Sequence, residues 1–391
     1  MAVKPWVRFA FLLAILIAFF TPLPAQAQNP GIKVLNEDYS YIFGKQADFE
    51  IEIEGDLAEA NLIYTVEGEI GQKFQRAELD KGQARAKISL TSGQIPPASE
   101  VSYFWRIEDS QGRLLRTHEQ SFRYLDQRFQ WQSKTAGDIT VFWYGLDQFG
   151  DQLLPQTEKS LKAIEDLLGI TQSQPVRIVV YQSWNDMRPA VAERWGEHQV
   201  VSLGVAMNAQ TAVLFLHGSW DRTLTHELTH VLTSQFVEGP YDHLPFWLSE
   251  GLATYTEGGV RSGTQNPLSI GALSSGPTRK EDIGPAYAQA QSLVTFLVRE
   301  KGGSVKMREL LTTIAQGEAL DKSLISVYGF DRYGMEKEWR IWIGKPIEEV
   351  PQPDPVQPQL VRLTVITGLI TLGSLIALII LLVLLFRKPA S

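Results

Sequence analysis

The hydrophobic pattern of this chain changes period partway along, and each period permits one kind of element. Through residues 28–125 apolar and polar residues alternate: Phe49-Glu50-Ile51-Glu52-Ile53-Glu54, then Ala84-Arg85-Ala86-Lys87-Ile88-Ser89-Leu90, then Tyr103, Trp105 and Ile107. Successive side chains of a strand point to opposite faces, so this alternation predicts strands with one packed and one wet face. Turn residues separate the runs at Glu54-Gly55-Asp56, Asp80-Lys81-Gly82, Gly93 to Pro97 and Asp109 to Gly112. That spacing predicts a small antiparallel β-sandwich of the immunoglobulin or fibronectin kind. No polar constellation stands out in it, which gives it the part of a spacer or binding module.

From about residue 129 the period lengthens. Thr140 to Tyr144 and Val176 to Tyr181 read as strands, joined by an amphipathic helix through Leu161, Ile164, Leu167 and Leu168 that Gly169 closes. Strand-like runs return at Val200 to Val205 and Thr211 to Leu216. After Ser219 the helical period dominates, at about 221–236, 245–257, 284–301, 304–316 and 332–342. Residues 129–345 are therefore expected to form an α/β lobe followed by a helical lobe. Ile347 to Gln359 holds four prolines (351, 353, 355 and 358), so 346–360 reads as a semi-rigid linker.

Each end carries a long apolar run. Lys4 and Arg8, the run Phe9 to Phe20, Pro22, Pro24 and Ala25-Gln26-Ala27 read as an export signal over 1–27; an uncleaved anchor is the alternative. Leu363 to Phe386 holds no charge and is followed by Arg387 and Lys388, so 361–386 is expected to span a membrane once, with 387–391 in the cytoplasm and residues 28–360 outside. The expected location is thus the cell membrane, single-pass, with an extracytoplasmic ectodomain. Residues 1–27 and 362–391 carry five bases and no acid, so with 36 Lys+Arg against 44 Asp+Glu in all, the intervening chain stands at -13. Phosphate binding needs clustered positive charge, which argues against a nucleic-acid partner. The absence of cysteine removes disulfides as a source of stability and leaves cores or a metal.

A metal has an evident place. Residues 226–230 read His-Glu-Leu-Thr-His; on a helix two residues four apart differ by about 40° of rotation, so both imidazoles leave one face and can share one tetrahedral ion. Glu227 lies about 100° round the same helix, placed to reach a metal-bound water without ligating the metal. Leu224, Leu228, Val231 and Leu232 supply the apolar stripe. Trp247-Leu248-Ser249-Glu250-Gly251-Leu252-Ala253-Thr254-Tyr255-Thr256-Glu257 follows, and a glutamate on a second helix behind a short loop, Glu250, can be the third ligand that a hydrolytic zinc site requires.

In these two segments the chain resembles the gluzincins, specifically the aminopeptidase-N-like family and the minimal peptidase MA-like domains related to it. That family's second helix reads W-L-N-E-G-F-A-x-Y-x-E, matched here at Trp247, Leu248, Glu250, Gly251, Ala253, Tyr255 and Glu257. A third segment, Ala286 to Leu297, is similar to the family helix Y-x-K-G-x-x-x-L-x-x-L, although Gln289-Ala290 replaces its Lys-Gly. The resemblance implies zinc on His226, His230 and Glu250, Glu227 as general base and then acid, and Tyr287 as donor to the oxyanion of the transition state. The family's G-x-M-E-N edge strand, whose glutamate binds a substrate amine, corresponds to Gly204-Val205-Ala206-Met207-Asn208, which has no acid. Internal cleavage of a peptide or unfolded protein is therefore expected, unless Glu197 or Glu257 replaces the anchor. His198, His217 and His243 read as surface or hydrogen-bonded core histidines.

Together these readings give a multidomain α+β chain: an N-terminal β-sandwich, a thermolysin-like (gluzincin) α/β plus helical catalytic domain, and one transmembrane helix. The expected activity is that of a membrane-anchored extracytoplasmic zinc metallopeptidase. The alternative is an inactive gluzincin-like module that keeps zinc for stability while the sandwich serves adhesion.

Overall fold

The computed structural model describes residues 31–191, 203–237, 244–259 and 266–345. These form two compact units, one within Met1–Leu161 and Gln172–Gln235, the other within Lys162–Thr171 and Phe236–Ser391.

The first unit opens with two antiparallel sheets. One has the order β1 (Lys33–Ile42), β2 (Gln46–Glu54), β6 (Gln83–Ser89), β5 (Glu78–Asp80); the other has β4 (Lys73–Arg76), β3 (Glu59–Val66), β7 (Glu100–Glu108), β8 (Leu114–Arg116), with β9 (Gln120–Arg123) also on β7. The alternation sets which faces meet. Ala47, Phe49, Ile51 and Ile53 of β2, Ala84, Ala86 and Ile88 of β6, and Val101, Tyr103, Trp105 and Ile107 of β7 join one buried core, while Glu50 and Glu52 face out. Each fully buried large apolar side chain contributes roughly 1.5–3 kcal/mol relative to exposure. Burial in this aromatic core also pushes the Tyr124 hydroxyl up to about 12.

A mixed five-stranded sheet follows, in the order β10 (Gln132–Ala136), β11 (Ile139–Trp143), β12 (Val176–Tyr181), β14 (Thr211–Phe215), β13 (Gly204–Ala206). The central pairs β11·β12 and β12·β14 are parallel, and both outer pairs are antiparallel. The helix α1 (Gly150–Leu168) connects β11 to β12, and α2 (Trp184–Val191) follows β12. Every residue of β12 is buried, as expected of a central strand covered on both faces. The metal-motif helix α3 (Trp220–Phe236) leaves the end of β14.

The second unit is helical: α4 (Phe246–Thr256), α5 (Ile270–Ser275), α6 (Lys280–Glu300), α7 (Gly303–Ala315), α8 (Leu320–Tyr328) and α9 (Arg332–Trp342). The short α5 and α8 were not foreseen. Ser269 caps α5 by accepting from Ala272 N–H, and Gly329 in the left-handed region ends α8.

One part of the expected fold requires correction. Among the described residues no helix is long and apolar enough to cross a membrane, so the architecture described is β-sandwich-like sheets, a mixed sheet and a helical part, with no spanning helix. The physical reason is amphipathicity: the longest helix among the described residues, α6, carries Glu281, Asp282, Arg299 and Glu300 beside its buried face. The proposed span 361–386, the linker 346–360, the tail 387–391 and the signal 1–27 lie outside the described residues, as do Glu197, His198 and His243.

Candidate metal centre

The helix that carries the two histidines is held by packing on one side and by hydroxyls on another. Leu224, Leu228, Val231 and Leu232 are all fully buried, which anchors the apolar stripe. Thr225, Thr229 and Thr233 return their hydroxyls to the carbonyls of Asp221, Thr225 and Thr229, and Thr225 also meets Ser160 Oγ of α1 at 2.7 Å. Buried threonines on a helix are tolerated when each hydroxyl finds such a partner.

His217 sits just ahead of α3 and serves structure. Its Nδ1 accepts from Ser219 N–H at 3.3 Å, so Nε2 carries the proton and donates to Thr223 Oγ1 at 3.0 Å. Burial holds this imidazole below its usual pKa, with Asp221 pulling the other way.

On the outward face of α3, His226 and His230 are half-buried, and their ring nitrogens and a carboxylate oxygen of Glu250 all lie within 4.8 Å of one another. These three residues could hold a metal ion. The donor set passes a geometric test: two nitrogens bound at 2.0–2.1 Å in a tetrahedral shell stand about 3.3 Å apart, and the two Nε2 atoms are 3.3 Å apart here. Two imidazoles and a carboxylate are also the ligand chemistry that borderline divalent ions such as zinc favour.

Glu250 is delivered by a helix whose other motif residues pack. Trp247, Leu248, Leu252 and Ala253 are fully buried. Gly251 marks the close approach of α4 to α6: a Cβ there would stand 2.6 Å from Ala290 O and 2.6 Å from Val294 Cγ2. Ala290 occupies the position of the family's glycine, so the close contact is made from the α4 side. Gln289, at the family's lysine, is buried and closes on the backbone of Leu268, accepting from its N–H at 2.9 Å and donating to its carbonyl at 2.8 Å. Tyr287 is partly exposed, its ring edge-on to Phe246 at the start of α4, with centroids 5.3 Å apart. Glu257 caps the far end of α4.

Glu227 is only 7% exposed, and its environment comes from the edge strand. The residue sums of the β13·β14 register, together with Met207 N–H donating to Thr211 O and Phe215 N–H to Leu203 O, make the odd-numbered residues of β13 the hydrogen-bonded ones. Gly204 and Ala206 therefore turn their peptide groups away from β14. Ala206 N–H donates to Glu227 Oε2 at 2.8 Å. Gly204 permits this approach, because a Cβ there would stand 2.6 Å from Glu227 Cγ and 2.9 Å from both Glu227 Oε1 and Thr223 Cγ2. This role of Gly204 is not marked by any motif residue; its one sequence signal is a glycine inside a strand pattern, which signals a close backbone approach. Beyond Ala206, Met207 is buried, and Asn208 Oδ1 accepts from Gln210 N–H and Thr211 N–H to form the β13–β14 turn. Neither presents a charge to a substrate amine.

A family model described as the peptidase MA superfamily matches residues 156–345. None of the curated proteins matches. Among solved structures, a bromine derivative of BhCBM56 matches at 10% identity over 25% of this chain and 95% of its own, with a TM-score of 0.19. A carbohydrate-binding module family 56 β-1,3-glucan binding domain matches at 17% identity over 24% and 98%, TM-score 0.18. The third fibronectin III domain of human KIAA0343 protein does so at 11% identity over 30% and 97%, TM-score 0.22. Likenesses this low carry no argument. The family match does, since it covers both metal-site helices and α6 that packs on one of them: it supports a gluzincin-like peptidase MA domain over residues 156–345 and, at the level of class, a peptidase-like hydrolase.

Proposed function

We propose that residues 156–345 form a zinc-dependent peptidase that cleaves internal bonds of peptides or unfolded proteins. The observation that carries the reading is the His226–His230–Glu250 cluster, with its two Nε2 atoms at tetrahedral spacing. Zinc held by these residues would supply Lewis acidity and a water acidic enough to attack at neutral pH. The remaining work falls to the chain. Ala206 N–H fixes Glu227 Oε2 and thereby the direction of Oε1, which takes the proton of the attacking water and returns it to the departing nitrogen. The burial of Glu227 keeps bulk water from competing for that proton. Tyr287 is assigned, on the family resemblance, to donate its hydroxyl to the developing oxyanion. The uncharged Met207-Asn208 segment supports cleavage that does not depend on a free substrate amine. The export signal read in 1–27 assigns this activity to the extracytoplasmic side; cell fractionation tests that location.

The test is metal content of the purified chain together with hydrolysis of an unstructured protein, with and without a chelator. One zinc per chain and chelator-sensitive cleavage are expected, and Glu227→Gln keeps the metal while losing turnover. A chain that cannot be loaded with zinc overturns the assignment. A zinc-loaded chain that cleaves nothing overturns the activity and favours the inactive, zinc-stabilised module. A peptide with a free and with an acetylated N-terminus should be cut equally well; strong preference for the free form refutes internal cleavage.

A further inference from the structure

Arg177 lies on β12, the central strand of the mixed sheet, and is 3% exposed among neighbours that are otherwise apolar. Removing a cation from water costs several kcal/mol unless it is paired and hydrogen-bonded. Its partners come from two parts of the first unit. Nη1 pairs with Glu67 Oε1 at 2.5 Å, Nη2 donates to Gln210 Oε1 at 2.9 Å, and Nε donates to Thr211 Oγ1 at 3.3 Å. Glu67 belongs to the β-sandwich, in the turn after β3, where its Oε2 accepts from Glu100 N–H and from Arg123. The sandwich thus sends one carboxylate into the sheet of the peptidase-like domain.

The neighbouring residues converge on the same turn. Gly68 has φ +84°, and a Cβ there would stand 2.7 Å from Asn208 Nδ2. Ala98 of the sandwich shares a buried cluster with Val205, Met207 and Val213. From the other side, Gln235 at the end of α3 donates to Ala209 O at 2.7 Å. The turn 208–211 that anchors β13 is therefore held by the sandwich, by Arg177 and by the metal-motif helix at once.

We propose that the β-sandwich is a positioning element of the hydrolytic site: Glu67, acting through Arg177 and the 208–211 turn, sets where β13 lies and so where Ala206 N–H holds the Glu227 carboxylate. Its effect on turnover rests on the hydrolase reading; its effect on the strand does not. This differs from a spacer or adhesion module, which would meet the catalytic domain through a replaceable surface.

The test is amide hydrogen exchange of the full chain, read by mass spectrometry on the segment 203–208 well below the melting temperature. In Glu67→Gln that segment is expected to exchange at least tenfold faster, while α6 is unchanged. Gln210→Ala, which leaves the Arg177–Glu67 pair in place and removes one Arg177 bond and the Gln210–Gln174 bond, is expected to give a smaller acceleration and keeps the test available should Glu67→Gln fold poorly. Ile51→Val, which trims the sandwich core without touching the turn, controls for general loosening. Unchanged exchange at 203–208 in both Glu67→Gln and Gln210→Ala overturns the proposal, as does equal acceleration in Ile51→Val. The exchange readout does not require activity, so failure of the peptidase reading is told apart by the cleavage assay alone.

Discussion

Replacing Gly204 by alanine adds one methyl group at the point where the edge strand approaches α3. The new Cβ would stand 2.6 Å from Glu227 Cγ and 2.9 Å from Thr223 Cγ2, against an ordinary carbon–carbon contact of about 3.5–4.0 Å. Roughly 1 Å of movement is needed. The strand can yield only by disturbing Val205 and Met207, buried on its other face; the helix side can yield only by withdrawing Glu227 from Ala206 N–H. Overpacking costs about 1–3 kcal/mol, and a hydrogen bond to a charged group is worth about 1.5–3 kcal/mol. One movement relieves the first at the expense of the second, so about 2–3 kcal/mol is expected rather than the sum. For a domain of this size that lowers the melting temperature by roughly 4–12 °C. The sign is diagnostic, because Gly204 has no left-handed φ and glycine to alanine in a compatible conformation otherwise stabilises by about 0.4–1 kcal/mol. Gly271→Ala, inside α5 with open space around its Cβ and no proline after it, is the control expected to show that stabilisation. Thermal melting of both variants decides the matter: a Gly204→Ala protein that melts at or above wild type refutes the close-approach argument.

Gly251→Ala should separate α4 from α6, because the new Cβ meets the backbone of Ala290; melting should fall by about 1–3 kcal/mol equivalent, and metal titration should show weaker binding through the adjacent Glu250. His217 has a folded pKa below its unfolded value of about 6.5, so the unfolded chain binds the proton more readily and the stabilising contribution, complete above that pH, is lost as pH falls through the folded value. Melting curves between pH 7.5 and 5 should drop more steeply for wild type than for His217→Gln; parallel curves would refute the assignment. Chelation should lower the melting temperature of the zinc-loaded chain, and added zinc should restore it, because an ion bound only by the folded state stabilises it by mass action. Tyr287→Phe is expected to keep zinc and cut turnover by about 10²-fold; unchanged turnover removes Tyr287 from the oxyanion role.

What could be read from the sequence was whatever depends on near neighbours. The spacing of His226 and His230 dictates a shared helix face, because helical rotation is a local property. The alternation through Phe49, Ile51 and Ile53 likewise dictates which side chains enter a core before any partner strand is known. Glu250 was legible because its helix carries a dense local motif. Contacts across the fold were not legible. Ala206 and Glu227 are twenty-one residues apart, and their meeting depends on β13 being the edge strand and on its pleat turning even-numbered peptide groups outward. Nothing local in the sequence joins Glu67 to Arg177; only the docking of the sandwich on the sheet makes them an ion pair. Local periodicity decides which elements form and which faces they bury, whereas the order of strands and the approach of distant backbones are decided by packing, a property that no short window of sequence contains.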